Sequence, residues 1–169
     1  MGWRVGLGWD LHRLEAGRPL VLGGVAIPHD RGAVGHSDGD ALLHAIVDAL
    51  LGAAGLGDIG ELFDDRDPAH RGRPSGEFVA AVRARLAASG LRVAGVDTVI
   101  VLERPRLGPH KAAIRARLAE LLGLEPDRVG VKAKTHEGVD ALGTGDAVAA
   151  HAVVLLEDAA PPGAETCAG

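Results

Sequence analysis

The sequence predicts an α+β domain, a mixed four- to five-stranded sheet with helices packed on one face. Three observations carry this. Its segments read in the order ββααβαββ, which is neither strict alternation nor blocks of one type. One segment, Ala41–Ala53, is apolar nearly all round and so reads as a buried helix. The chain has 169 residues, enough to bury roughly 68–70% of its unfolded surface around one core but tight for two.

Taken in order, Arg4–His12 and Leu20–Ile27 are rich in Val and Leu and are separated by turn formers ending in Gly17-Arg18-Pro19. They read as two strands expected to pair. A loop over Pro28–Gly35 leads to Ser37-Asp38-Gly39-Asp40, where Ser37 followed three residues later by Asp40 resembles a capping box. The helix it opens runs to Ala53 and sets His44 and Asp48 one turn apart on one face. Gly55–Gly76 is polar and lacks the periodicity of a long element, and loops of that length inside compact domains are more often functional than idle. A second helix, Ser75–Ser89, is closed by Gly90, and a strand follows at Val96–Leu102. Pro109 opens a third helix that stops before Gly123. Strands at Val129–Thr135 and Ala147–Glu157 complete the order. Residues 1–157 are expected to form a single domain and 158–169 a disordered tail.

Composition narrows the function. The 47% hydrophobic content is almost entirely Ala, Val, Leu and Ile; the aromatics are Trp3, Trp9, Phe63 and Phe78, with no Tyr. So few rings cannot build the stacking platform that single-stranded nucleic acid requires. A net charge of −5 also argues against a nucleic-acid footprint. The single Cys167 excludes an internal disulfide and a cysteine metal site, and points to a reducing, cytoplasmic setting. The longest nearly apolar run, Ala41–Gly57, is interrupted by His44 and Asp48, so neither a membrane span nor a signal peptide is expected.

Chemistry enters at Asp10-Leu11-His12. Positions i and i+2 of a strand share a face, so a carboxylate and an imidazole converge there. Taken alone, a surface pair or a capping contact is the plainer reading of this Asp-x-His spacing. His44 sits in an apolar helix, where an unpaired imidazole is costly to bury; it is either a core histidine bonded to a carbonyl or a ligand. Together Asp10, His12 and His44 supply one oxygen and two nitrogens, a set suited to zinc with a fourth position open for a Lewis-acid role.

Four blocks occur in a telling order: GWDLH ending at His12, HSDGDALLHA over His36–Ala45, GDIGELF over Gly57–Phe63, and KAKTHE over Lys132–Glu137. In these the chain resembles the 2-C-methyl-D-erythritol 2,4-cyclodiphosphate synthase family from about Trp3 to Glu157. The resemblance implies a homotrimer, assembled through its sheets around a three-fold axis, with an active site at each subunit interface. The implied enzyme is a cyclising phosphorus–oxygen lyase of non-mevalonate isoprenoid biosynthesis. It takes 4-diphosphocytidyl-2-C-methyl-D-erythritol 2-phosphate, a small-molecule nucleotide, and releases CMP. Asp10, His12 and His44 match the ligands of a zinc-type cation, and Glu137 matches the ligand of a second divalent cation, magnesium or manganese. His36 and Thr135 match the residues credited with stabilising the transition state.

Substrate contacts are implied along the same blocks. Asp10, Leu11, His12, His36 and Ser37 match the phosphate and erythritol region, although Ser37 also reads as a helix cap. Asp58, Ile59 and Gly60 with Phe63, Asp64, Asp65, Arg66 and Asp67 match a loop over the erythritol hydroxyls and 2-phosphate; an acidic solvated turn is the plainer reading. Leu102, Glu103, Arg104, Pro105, Arg106, Leu107 and Gly108 match the cytosine pocket, where Pro105 fixes the chain and backbone groups can read the base. Lys134, Thr135, His136 and Glu137 complete the set. Ala141 and Thr144 stand where many members carry Phe and Arg, so a central isoprenoid-diphosphate site is not carried over. From the residues alone, a zinc phosphohydrolase and a non-catalytic metal- or nucleotide-binding module remain alternatives.

Overall fold

A computed structural model of the chain describes residues 2–63, 67 and 72–159. Seven strands and five α-helices follow in order: β1 (Trp3–Ala16), β2 (Leu20–Leu22), β3 (Val25–Ile27), β4 (Arg31–Ala33), α1 (Ala41–Ala54), α2 (Ile59–Leu62), α3 (Ser75–Ala88), β5 (Leu91–Val101), α4 (Lys111–Leu122), β6 (Val129–Lys134), α5 (Asp140–Gly143) and β7 (Ala147–Asp158). Five strands form one sheet in the order β4-β1-β7-β5-β6, in which only β5 and β6 run parallel. The mixed α+β class is therefore as expected. Of the expected tail, Asp158 closes β7, and 160–169 lie outside the described residues.

The expected pairing of Arg4–His12 with Leu20–Ile27 does not occur. β2 and β3 fold on each other as a separate two-stranded sheet, and β1 pairs instead with β7 and β4. Gly23 and Gly24 are the reason: both have positive φ, +62° and +72°, which a two-residue hairpin loop demands. The capping box is also corrected. Asp40, not Ser37, caps α1 by accepting from Leu43 N at 3.0 Å. Asp40 is fully buried and accepts as well from Gly23 N at 2.9 Å and Gly24 N at 2.6 Å, which ties the hairpin turn to the helix start. Burial pushes its carboxyl up to about 6, against the pull of those amide donors.

Alternation divides the sheet cleanly. On the inner face β1 offers Gly6, Gly8, Asp10 and His12, beside Val148, Ala150, Ala152 and Val154 of β7. Here α1 lies against β1 and β7, with α3 on β5 and α4 on β6. A Cβ on Gly6 would fall 1.9 Å from the Ala49 carbonyl oxygen, and one on Gly8 1.9 Å from that of Ala45. Only glycine permits so close an approach. Two residues of strand and four of helix each advance about 6 Å, so this matched pair of contacts brings the start of α1 alongside Asp10 and His12. On the outer face Trp3, Val5, Leu7, Trp9 and Leu11 of β1 and Val153 of β7 stay exposed, with Leu7 70% accessible.

Candidate functional site

The three sequence-predicted ligands converge. Asp10 and His12 point inward from β1 and His44 reaches them from the first turn of α1. His12 Nε2 lies 2.8 Å from Asp10 Oδ2 and 3.1 Å from His44 Nδ1, and His44 Nδ1 lies 3.1 Å from Asp10 Oδ2. These three residues form the one group among the described residues whose side chains could jointly hold a metal ion. His12 Nδ1 faces the Val34 carbonyl at 2.7 Å. A carbonyl can only accept, so this nitrogen carries the proton and Nε2 presents a lone pair to the cluster. An anion and imidazole lone pairs aimed at one point are the donor set of a divalent cation, and the residues fit zinc in type and number.

The electrostatics agree. Burial opposes ionisation of Asp10, yet its close contacts with the His12 and His44 imidazoles outweigh it and hold the carboxyl well below the usual range. Burial likewise opposes charge on His12, but Asp10 and the Val34 carbonyl raise its pKa above the ordinary 6.5. Asp48, one turn beyond His44, accepts from Ile59 N at 2.8 Å and so anchors the start of α2 to α1. Its carboxyl is raised by burial, against that N–H, with Asp58 and Asp10 adding like charge.

A cavity of about 530 Å³ opens beside the cluster, lined in part by His12, His36, Ser37, His44, Ile59, Gly60 and Phe63, all predicted site residues. Phe63 stacks on Phe78 at 4.5 Å between ring centroids and closes its floor. Asp58 caps α2 through Glu61 N at 2.9 Å. Leu11 turns its side chain to the outer face, so only its backbone lies on the cavity side. Asp67 is described as exposed, and Asp64, Asp65 and Arg66 lie outside the described residues.

The other predicted residues gather elsewhere. Glu103, Arg104, Pro105 and Arg106 line a second cavity of about 300 Å³ together with His29, which the sequence reading did not single out. The Arg104–Pro105 bond is cis, and Leu102 and Leu107 are buried on either side of the turn. Leu102 N donates to the Lys134 carbonyl at 2.9 Å, and His136 N to Glu103 Oε2 at 3.1 Å, so the turn leans on the end of β6. There Thr135 Oγ1 donates to Glu137 Oε1 at 2.9 Å, and Glu137 adopts a positive φ of +53°. Non-glycine residues held in that region concentrate at functional sites. His136 is raised in pKa, first by its contact with the Val139 carbonyl and then by Asp140.

Both clusters lie at the same end of the sheet. His12 pairs with Val148, and Val101, just before the Leu102 turn, pairs with Ala149 and Lys134. Yet β7 and β5 stand between β1 and β6, so within one chain the 102–108 turn lies two strand spacings, about 10 Å, from β1, and Thr135 and Glu137 three, about 14 Å. Sequence reasoning found most of these residues; it missed Val34 and Ser75, which bond to the cluster from outside it, and Asp38, which bonds to Ser75.

The chain is 53% identical over 156 residues to a chloroplastic 2-C-methyl-D-erythritol 2,4-cyclodiphosphate synthase of Catharanthus roseus, covering 92% of this chain and 66% of the relative. It is 52% identical over 157 residues to the synthase of the same name from Laribacter hongkongensis, covering 93% and 97%. A solved structure of such a synthase in a CDP-bound form superposes with a TM-score of 0.85 at 48% identity, covering 91% of this chain and all of that one. The chain thus spans about two thirds of the plant relative but nearly the whole of the bacterial one. A family model matches residues 3–157, from the first residue of β1 almost to the end of β7, and by that match the chain belongs to the YgbB family.

Proposed function

We propose that the chain converts 4-diphosphocytidyl-2-C-methyl-D-erythritol 2-phosphate to 2-C-methyl-D-erythritol 2,4-cyclodiphosphate and CMP. The observation that carries this is the Asp10, His12 and His44 cluster opening on a cavity that His36, Ser37, Ile59 and Gly60 also line. An oxygen of the 2-phosphate forms a bond to the β-phosphorus, and the bond from that phosphorus to the bridging oxygen breaks, leaving with CMP. No water enters and no protein nucleophile is needed, since the substrate carries its own. Asp10, His12 and His44 would hold a zinc-type cation, and Glu137 a magnesium or manganese ion. Such ions neutralise charge that builds on transferring phosphoryl oxygens. His36 faces the reacting groups from the cavity wall, and Thr135 is oriented by its bond to Glu137.

The reading includes a homotrimer. A gap of about 10–14 Å between the two clusters exceeds what one diphosphate bridges, so Thr135, Glu137 and the 102–108 turn of one copy would complete the cavity of another. The exposed apolar outer face of β1 is the surface that such copies would share. No described helix is long and apolar enough to cross a membrane. A cytoplasmic setting, read from the lone cysteine, belongs to this proposal, while the plant relative is named chloroplastic.

Phosphorus NMR of the reaction with zinc and magnesium present tests the reading. A cyclic diphosphate with stoichiometric CMP is expected, and His44→Ala should abolish both. Linear diphosphate or monophosphate products would instead establish a phosphohydrolase, and CMP binding without turnover a binding module.

A further inference from the structure

His44 is bonded on both sides. While its Nδ1 faces Asp10 and His12, its Nε2 lies 2.9 Å from Ser75 Oγ and 3.0 Å from Ser37 Oγ. Ser75 is fully buried at the first turn of α3, 31 positions along the chain from His44. Its hydroxyl donates to Asp38 Oδ1, and its backbone N–H donates to Asp38 Oδ2 at 3.0 Å. Neither Asp38 nor Ser75 has a place in the proposed chemistry.

Ser37 Oγ can donate to or accept from His44 Nε2, but the contact with Ser75 selects one of the two tautomers. A carboxylate only accepts, so the single proton of the Ser75 hydroxyl is committed to Asp38. Toward His44 the hydroxyl can present only a lone pair. With its proton on Nε2, His44 donates to that lone pair and leaves Nδ1 bare and aimed into the cluster, whereas a bare Nε2 would set two lone pairs against each other 2.9 Å apart. Val34 fixes His12 from a backbone carbonyl in the same sense, but that acceptor cannot be removed by mutation. The Ser75–Asp38 pair can.

We propose that Ser75 and Asp38 are positioning residues that hold His44 in the Nε2–H tautomer and so prepare Nδ1 to bind the cation. The inference rests on the metal reading of Asp10, His12 and His44. It also makes α3 part of the site: the helix start, remote in sequence, sets the orientation of a ligand on α1. Outer partners of this kind are worth 10- to 100-fold in metal affinity where they have been removed, on the order of the loss expected here.

Two readouts test it. Nitrogen-15 NMR of the metal-free wild-type protein should show His44 protonated on Nε2, and Ser75→Ala should shift it toward a mixture. Zinc affinity, by competition with a chromophoric chelator, should fall about 10- to 100-fold in Ser75→Ala and recover in Ser75→Thr, which restores the hydroxyl. A purely structural role at the helix start would lower thermal stability without moving the tautomer. A wild-type His44 protonated on Nδ1 overturns the proposal, as does a Ser75→Ala protein with wild-type zinc affinity. Should Ser75→Ala not fold, the wild-type tautomer and Ser75→Thr still decide the matter. A wild-type protein that binds no zinc would refute the metal reading itself, while the tautomer measurement would continue to judge the relay.

Discussion

Gly8→Ala should disturb the proposed metal site more than the fold. The added Cβ would stand 1.9 Å from the Ala45 carbonyl oxygen and 2.7 Å from Ala49 N. Carbon approaches a carbonyl oxygen to about 3.3 Å at the closest, so α1 must retreat by roughly 1.4 Å or β1 must bend away. Both obstructing atoms belong to the backbone, and no rotamer change relieves them. Overpacking of this kind costs about 1–3 kcal/mol, or about 2–4 °C of unfolding temperature per kcal/mol in a chain of this size. The site responds more steeply, because metal–ligand distances tolerate errors of only about 0.2 Å. His44 rides on the turn that moves, while Asp10 stays with the sheet. Zinc affinity should fall by more than about tenfold, with cyclisation lost in parallel. Gly52→Ala is the control: it lies in the same helix with nothing within 4 Å of its Cβ, and should leave affinity unchanged while adding about 0.5–1 kcal/mol of stability. A Gly8→Ala protein that melts and binds zinc like the wild type would refute the argument that close approach sets the site.

Two further perturbations probe the surroundings. Asp40 carries a folded-state pKa of about 6 against an ordinary 3.8, raised by burial and by the like charge of Asp38. The native chain therefore holds a proton that the unfolded chain has released, and this contribution is full below pH about 4 and lost as pH rises through 6. Urea midpoints across that range should show the decline in the wild type and a flatter profile in Asp40→Asn; equal profiles would remove Asp40 as its source. Leu7→Asp, on the outer face, should change chain stability by no more than about 0.5 kcal/mol yet convert the proposed trimer to monomers in analytical ultracentrifugation. An unchanged mass in that variant would place the shared surface elsewhere.

Much of this was legible in the sequence because it is local. Period two puts Asp10 and His12 on one face, and the apolar run of α1 leaves His44 as its conspicuous polar member. What failed was pairing across distance. The 20–27 segment looked like one strand because Val21, Leu22, Val25 and Ile27 mask the Gly23-Gly24 turn inside it. The first half of β5 was missed where Ala94 and Gly95 interrupt the pattern, at the register shift between Val93 and Gly95. Ser37 and Asp40 both suit a helix start, and only the tie to Gly23 and Gly24 decides between them. Ser75, beside Pro74, reads as an ordinary helix opening; nothing local reveals that Asp38 and His44 lie against it. The division of the site into two clusters was invisible too, since strand order in a sheet is not written in strand sequence.

The ladder between β1 and β7 has a consequence for the order of events during synthesis. These are the first and last strands of the sheet, joined from Trp3↔Glu157 to Arg13↔Ala147. Pairings so distant in sequence form slowly, because the intervening chain must be closed into a loop before any bond rewards it. Asp10 and His12 are made well before β7, but the strand that holds them has no neighbour on that side until β7 appears. The cluster of Asp10, His12 and His44 is therefore built late, and a nascent chain cannot present it finished before β7 has been translated and docked.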